Sequence, residues 1–213
     1  MKIQTIPVGQ LEANCHIVSD DSGQAVLIDT GAEPQRILAA VKAANLKPLA
    51  ILLTHAHFDH FGAAAEIQAE TNIPLYVHTL DKPMLISAAK SLAIGLGYGH
   101  EYKEPQDIRT FEDGDMLKFS EELTFSVIHT PGHTPGGSCF RHEDILFSGD
   151  TLFCDSVGRV DFPGGSITDM RESLAKLGKL EGDCTVYCGH FDNTTLSHER
   201  KYNHYVNPEL GKR

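Results

Sequence analysis

The stretch Thr54-His55-Ala56-His57-Phe58-Asp59-His60 sets four possible metal ligands, His55, His57, Asp59 and His60, within six residues. Neutral imidazole nitrogens and carboxylate oxygens bind divalent transition metals. In an extended segment side chains repeat every two residues, so His55 and His57 point the same way and can reach one ion at about 2 Å. Asp59 and His60 lie at the turn into the next predicted helix and can face a second ion, and a helix N-terminus favours a carboxylate. The plainer alternative, a loop of solvated histidines, fits this density poorly.

Three other predicted strand ends offer further ligands. Thr130-Pro131-Gly132-His133-Thr134-Pro135-Gly136-Gly137 follows a strand ending at His129, and its Pro and Gly residues form a tight turn that can aim His133 inward. His129 itself is expected to pack or to support the site. Ser148-Gly149-Asp150 supplies a carboxylate with two oxygens, able to bridge two cations, and Cys188-Gly189-His190 supplies His190. A single Asp or His at such a position is ordinary loop chemistry. Together they make a candidate two-metal set.

These residues need a scaffold that brings distant strand ends to one rim. Extended segments are predicted at 2–8, 15–19 and 25–29, then a helix at 33–45 with Ile37, Leu38 and Val41 on one face. A short apolar strand at 50–54 lacks alternation and is expected to be buried on both sides. A helix at 61–70, a strand at 74–78 and a helix at 80–93 follow. The glycine-punctuated 94–100 segment, Ile94 to His100, reads as a mobile surface stretch able to cover a site. The second half repeats the order: strands at 116–119, 123–129, 138–141 and 145–148, a helix at 168–180, a strand at 185–188 and a helix at 195–202. The expected fold is α/β: an αβ/βα four-layer sandwich of two mixed sheets with helices outside.

Composition excludes several classes. A length of 213 residues suits one domain, 1–213. The net charge of −11 disfavours nucleic acid, which is held mainly through clustered Lys and Arg. Apolar runs are too short to span a membrane, and no secretory signal is legible at the N-terminus, so a cytoplasmic location is expected. The five cysteines lack a C-x-x-C pair and are expected to be buried, reduced thiols.

H-x-H-x-D-H, T-P-G-H-T-P-G, G-D and C-G-H stand in an order that resembles the metallo-β-lactamase-fold hydrolases across nearly the whole chain. The segment from Gly158-Arg159-Val160-Asp161-Phe162-Pro163 to Gly165, and the ending from Thr194-Thr195-Leu196 to Asn207-Pro208, are most similar to the glyoxalase II-like branch, the hydroxyacylglutathione hydrolases. The resemblance implies that His55, His57 and His133 hold one metal and Asp59, His60 and His190 the other, with Asp150 bridging. It implies two divalent ions per chain, zinc by family habit, with iron or manganese also accommodated. Asp29, in Leu27-Ile28-Asp29-Thr30-Gly31, matches a family position near the metal loop, where it either steadies a ligand or simply forms a turn. Two departures stand out. The C-terminal helical region that grips glutathione in full-length glyoxalase II is not expected here, because only about twenty residues follow His190. Phe191-Asp192-Asn193 stands where family members often carry another glycine and a proline, which alters the wall beside the second metal.

The implied activity is hydrolysis of a small-molecule thioester of the S-lactoylglutathione type by a metal-bridging hydroxide, with two ions about 3.5–4 Å apart. Asp59 and Asp150 are the expected catalytic carboxylates. Arg159 is the candidate for a substrate carboxylate, set against an internal ion pair with Asp161. The alternatives are a mononuclear iron persulfide dioxygenase, whose family shares the fold and a similar Gly-Arg-x-Asp-Phe segment, and a lactonase or β-lactamase differing mainly in its pocket walls.

Overall fold

The computed structural model describes residues 1–207, so Pro208, at the end of the motif above, lies outside it. The first sheet runs β1 (Lys2–Val8), β2 (Ala13–Ser19), β3 (Gln24–Ile28), β4 (Lys47–Leu52), β5 (Leu75–His78) and β6 (Ile108–Phe111), in that spatial order. Its first three strands pair antiparallel and the remaining junctions are parallel. Each of the first two parallel junctions needs a crossover, supplied by helix α1 (Pro34–Ala43) and by α2 (Phe58–Phe61) with α3 (Ala64–Thr71). The third crossover, from β5 to β6, contains only the short α4 (Lys82–Leu85) and turns.

The second sheet is built from β7 (Met116–Lys118), β8 (Thr124–His129), β9 (Ser138–His142), β10 (Ile145–Gly149), β13 (Thr185–Cys188) and β14 (Thr194–Thr195), in the order β14-β13-β10-β9-β8-β7. Only the β10–β13 pair is parallel, and α5 (Ile167–Gly178) spans that crossover. A small hairpin, β11 (Leu152–Phe153) with β12 (Ser156–Val157), leaves the end of β10, and α6 (Leu196–Tyr202) follows β14.

Alternation along the strands creates the layers. Val18, Val26, Ile28 and Leu52 face Phe125, Val127, Phe140 and Phe147 of the other sheet, while their neighbours Ile17, Leu27 and Ile51 turn outward onto Ile37, Val41 and Ile67 of the helices. In the second sheet Ile128, Cys139 and Leu146 likewise turn outward onto Met170, Leu174 and Leu177 of α5. A strand with apolar side chains on both faces must be covered on both faces, and this produces the four-layer αβ/βα sandwich. The run Ala50 to Leu53 is fully buried, as its lack of alternation predicts. Across the rim, the Ser138 N–H donates to the Thr54 carbonyl at 2.9 Å and the Asn14 N–H to the Gly189 carbonyl at 2.7 Å, so the ligand-bearing ends of the two sheets are tied together.

The structure corrects four local expectations. The helix expected over 80–93 is the single turn Lys82–Leu85 followed by turns. The Ser91 carbonyl accepts from Phe58 N–H at 2.9 Å, a tertiary bond outside the helical ladder, and Leu92 adopts a left-handed φ of 66°. The helix expected over 61–70 is broken between Phe61 and Ala64, where Ala63 N–H donates to the Thr30 carbonyl at 3.0 Å. The edge strand Ile108–Phe111 is absent from the sequence reading because Ile-Arg-Thr-Phe carries too little apolar pattern to declare itself. Four cysteines are buried and free as expected, whereas Cys154, at the β11–β12 turn, is exposed.

Candidate metal centre

His55, His57, Asp59 and His60 follow the end of β4, His133 sits in the β8–β9 loop, Asp150 follows β10 and His190 follows β13. All of the expected ligands meet. His55, His57 and His133 bring one ligand atom each within 4.8 Å of the others, and so do Asp59, His60 and His190. Asp150 lies between the two trios: Oδ2 is 3.4 Å from His133 Nε2 and 3.6 Å from His190 Nε2, and Oδ1 is 3.4 Å from His60 Nε2. Gly189 permits this approach, since a Cβ there would collide with Asp150 Oδ1 and lie 3.0 Å from His60 Cε1.

Hydrogen bonds on the outer ring nitrogens determine which nitrogen faces the cage. His133 Nδ1 is 2.7 Å from the Arg159 carbonyl and His190 Nδ1 is 3.0 Å from the Leu11 carbonyl. A carbonyl only accepts, so each Nδ1 carries a proton and each Nε2 is the nitrogen turned towards the cage. For His55 the argument runs through Thr54. The Thr54 hydroxyl donates its proton to Asp29 Oδ2 at 2.6 Å, so its oxygen accepts from His55 Nδ1–H at 3.1 Å, leaving His55 Nε2 as the lone pair. His60 Nδ1 meets the same Asp29 Oδ2 at 3.0 Å. Asp29 therefore reaches His60 directly and His55 through Thr54, and its left-handed φ of 57° also makes it a turn residue, so both roles offered by the sequence reading are present.

His55 Nε2, His57 Nε2 and Asp150 Oδ1 are buried without a hydrogen-bond partner, and His57 Nδ1 lies 2.8 Å from His133 Nε2. Unpartnered polar atoms buried among converging lone pairs are costly. A divalent cation would satisfy His55 Nε2 and Asp150 Oδ1, and would separate His57 Nδ1 from His133 Nε2, whereas His57 Nε2 lies on the far side of its ring. The donor chemistry, imidazole with carboxylate, fits zinc, iron or manganese alike.

Charge divides the cage. Burial, with His133 and His60 nearby, lowers His57 to about 3, and burial beside the same cluster holds His55 well below its ordinary value. Both rings are neutral donors at pH 7. Burial alone would also lower His60, but the Asp150, Asp59 and Asp29 carboxylates outweigh it and push it up to about 10. Burial likewise opposes the Asp59 charge, yet His60 and His190 hold that carboxyl well below the usual range. The carboxylate-rich half thus favours positive charge at its centre.

Arg159 contributes in a way the sequence reading missed. Its carbonyl orients His133, and its guanidinium makes two 2.7 Å bonds to Asp161 and lies 4.0 Å from the Phe162 ring centroid. The side chain lines the cleft above the cluster, but already paired. His129 stays outside the cluster: its ring stacks on His78 at 4.1 Å and its Nε2 donates to the Pro135 carbonyl at 2.9 Å.

Asp81 escaped the sequence reading altogether. Fully buried, it accepts from Ala56 N–H at 3.1 Å, the Thr134 hydroxyl at 2.8 Å and Gly136 N–H at 2.6 Å, joining the His55–His57 loop to the His133 loop. Before Lys82-Pro83 it looks like an ordinary helix cap, and no local spacing reveals its distant partners.

Residues 8–190 match the family model of the metallo-beta-lactamase superfamily, and the chain belongs to that superfamily. Among curated relatives, an uncharacterized protein of Aquifex aeolicus is 39% identical, with 97% of each chain covered. The hydroxyacylglutathione hydrolase GloC of Haemophilus influenzae is 32% identical, covering 97% of this chain and 99% of that one. Among solved structures, the BLEG-1 B3 metallo-beta-lactamase superposes with a TM-score of 0.86 at 34% identity, covering 97% of this chain and all of that one. TTHA1623 in a di-iron-bound form gives 0.84 at 39% identity, covering 94% and 98%.

Proposed function

We propose that this chain is a dinuclear metal-dependent hydrolase acting on small-molecule thioesters, in the manner of the hydroxyacylglutathione hydrolases it resembles. The observation that carries the reading is Asp150, with its Oδ2 3.4 Å from His133 of one trio and its Oδ1 3.4 Å from His60 of the other. A one-metal site has no need of the second trio. His55, His57 and His133 would hold one ion and Asp59, His60 and His190 the other, with Asp150 placed to serve both.

Ions held there would supply Lewis acidity for a carbonyl oxygen and would bring the pKa of a water beside them towards about 7. The chain's own groups set the geometry. Asp29, Thr54, Leu11 and Arg159 engage the outer nitrogens of His60, His55, His190 and His133, so the inner nitrogens of these four rings are held in place. Asp59 lines the cleft as an ionised carboxylate beside His190, placed where it would orient an attacking water. No general acid is needed for the departing group, since a thiol ionises at about 8.5 and leaves as thiolate. Arg159 offers the lining its guanidinium, which can steer a carboxylate but must share it with Asp161.

The test is metal analysis of protein purified without added metal, combined with rates on S-lactoylglutathione and oxygen uptake with glutathione persulfide. Two metals per chain and thioester cleavage are expected. A single iron with oxygen consumption and no hydrolysis would replace this reading with the dioxygenase.

A further inference from the structure

Phe191 directly follows His190 and adopts a left-handed backbone, φ 62°. A bulky residue is a genuine outlier there, in a conformation that glycine adopts freely. The surrounding structure enforces it: the Asn14 side-chain amide donates to the Cys188 and Phe191 carbonyls, both at 3.0 Å, pinning the turn from either side. The side chain gains little burial in return. Phe191 is 77% exposed, the most exposed of the large apolar residues among the described residues. A ring held in an unfavourable backbone, for scant packing, beside a candidate metal ligand calls for a role outside the fold.

Its surroundings supply one. The cleft over the two trios, about 380 Å³, is walled mainly by Phe191, Phe153, Phe162, Leu11, Leu92 and Leu96. Phe162 stands 5.6 Å from the His57 ring at one trio, and Phe153 and Phe191 each stand 6.1 Å from the His190 ring at the other. Phe153 and Phe191 meet edge to face at 5.7 Å, forming a continuous aromatic wall. Arg159 is the cleft's one Lys or Arg among the described residues, and Asp161 already engages it, so a doubly carboxylated substrate body finds no free lysine or arginine.

We propose that Phe191 is a specificity-determining residue that selects substrates with an apolar acyl chain beside the scissile carbonyl. This rests on the hydrolase reading above. The reactive carbonyl reaches the Asp59–Asp150 end of the cleft while the chain lies along the Phe153–Phe191 wall, where burial of each methylene adds to binding.

The experiment compares metal-loaded wild type, Phe191→Gly and Phe191→Leu in two assays. Hydrolysis is measured on hexanoyl and acetyl thioesters of N-acetylcysteamine, and binding on the products hexanoate and acetate by calorimetry. In wild type, hexanoyl should exceed acetyl in kcat/KM by about tenfold or more, with a matching ratio in binding. Phe191→Gly should bring both ratios towards one, mainly through KM, and Phe191→Leu should restore part of them. The glycine variant should melt no lower than wild type, because the left-handed turn no longer carries a side chain. Selective hexanoate binding lost in the glycine variant, with no thioester cleaved by any form, would uphold the cleft assignment and overturn the hydrolase reading. Equal chain selectivity in wild type and Phe191→Gly would overturn the role of Phe191 while leaving hydrolysis intact. A melting temperature lower by more than about 3 °C in both variants, with selectivity unchanged, would make Phe191 a packing residue.

Discussion

Asp29 and Thr54 are joined twice, by the Thr54 N–H to Oδ1 at 2.8 Å and by the Thr54 hydroxyl to Oδ2 at 2.6 Å. The double bond holds the end of β4 against the end of β3 and directs the hydroxyl proton away from His55. That leaves the Thr54 oxygen free to accept from the His55 ring, while Asp29 Oδ2 also meets His60 at 3.0 Å. One buried carboxylate thereby sets the orientation of a ring in each half of the cage.

Asp29→Asn has a single carbonyl oxygen and cannot serve Thr54 twice and His60 as well. Metal affinity is expected to fall about 10–100-fold, the usual cost of losing a group that orients ligands. Competition against a chromophoric chelator measures it. Affinity equal to wild type would show that the rings keep their orientation without Asp29.

Asp150→Ala should abolish thioester hydrolysis and reduce metal content, because the carboxylate faces both trios. Asp161→Ala should keep its metal, since Asp161 bonds only to the exposed Arg159 guanidinium. Freed of that partner, Arg159 should lower KM for substrates bearing a carboxylate. Parallel metal analysis and steady-state rates decide the matter, and equal metal loading and rates in the two variants would rule out a bridging Asp150.

Asp81→Ala leaves the Ala56 N–H, the Thr134 hydroxyl and the Gly136 N–H without their acceptor. Each unsatisfied buried donor costs about 1–3 kcal/mol, reduced where water enters the space left by the side chain. Urea unfolding of the metal-free protein should show a loss of at least about 2 kcal/mol. Hydrolysis should also fall, because the loops of His57 and His133 are no longer joined.

Asp20 provides the test in pH. Its carboxylate accepts from Ser22 N–H and hydroxyl, Gln24 N–H and the Ser120 hydroxyl, at 2.7 to 2.9 Å. Burial alone would raise this carboxyl, but the hydrogen bonds outweigh it and hold it below the ordinary 3.8. The unfolded chain therefore binds the proton more readily, so the contribution is fully present above 3.8 and is lost as pH falls through the lower folded value. Asp20→Asn should be less stable than wild type by about 1–3 kcal/mol near neutrality, and the gap should narrow as the pH drops below that point. A gap independent of pH would mean that the ionised form has no special place there.

Removing metal should lower the melting temperature, because the candidate ligands come from the ends of four strands in two sheets and binding couples to folding. Free metal at a hundredfold excess over its Kd adds about 2.7 kcal/mol. Calorimetry before and after verified chelation reads the difference, and an unchanged curve would count against a structural contribution.

The seven candidate ligands were legible in the residues themselves, whereas the order of elements only suggested two sheets, and the family resemblance carried the four-layer sandwich. His55 and His57 declare themselves by a spacing of two at the end of an apolar strand, and His133, Asp150 and His190 each stand in a short turn motif after a strand. Local chemistry of that kind is written in neighbouring residues. The fate of 80–93 was not, because its helical pattern yields to a bond between Ser91 and Phe58, thirty-three positions apart. Asp81, the double bond from Thr54 to Asp29 and the turn of Arg159 that presents its carbonyl to His133 were invisible for the same reason. The sequence by itself determined which residues carry groups able to bind a cation. The tertiary structure decided which ring nitrogen faces the cage, which carboxylate lies between the trios and which aromatic wall stands over them, since a hydrogen bond between distant residues depends on where the packed sheets bring their ends together.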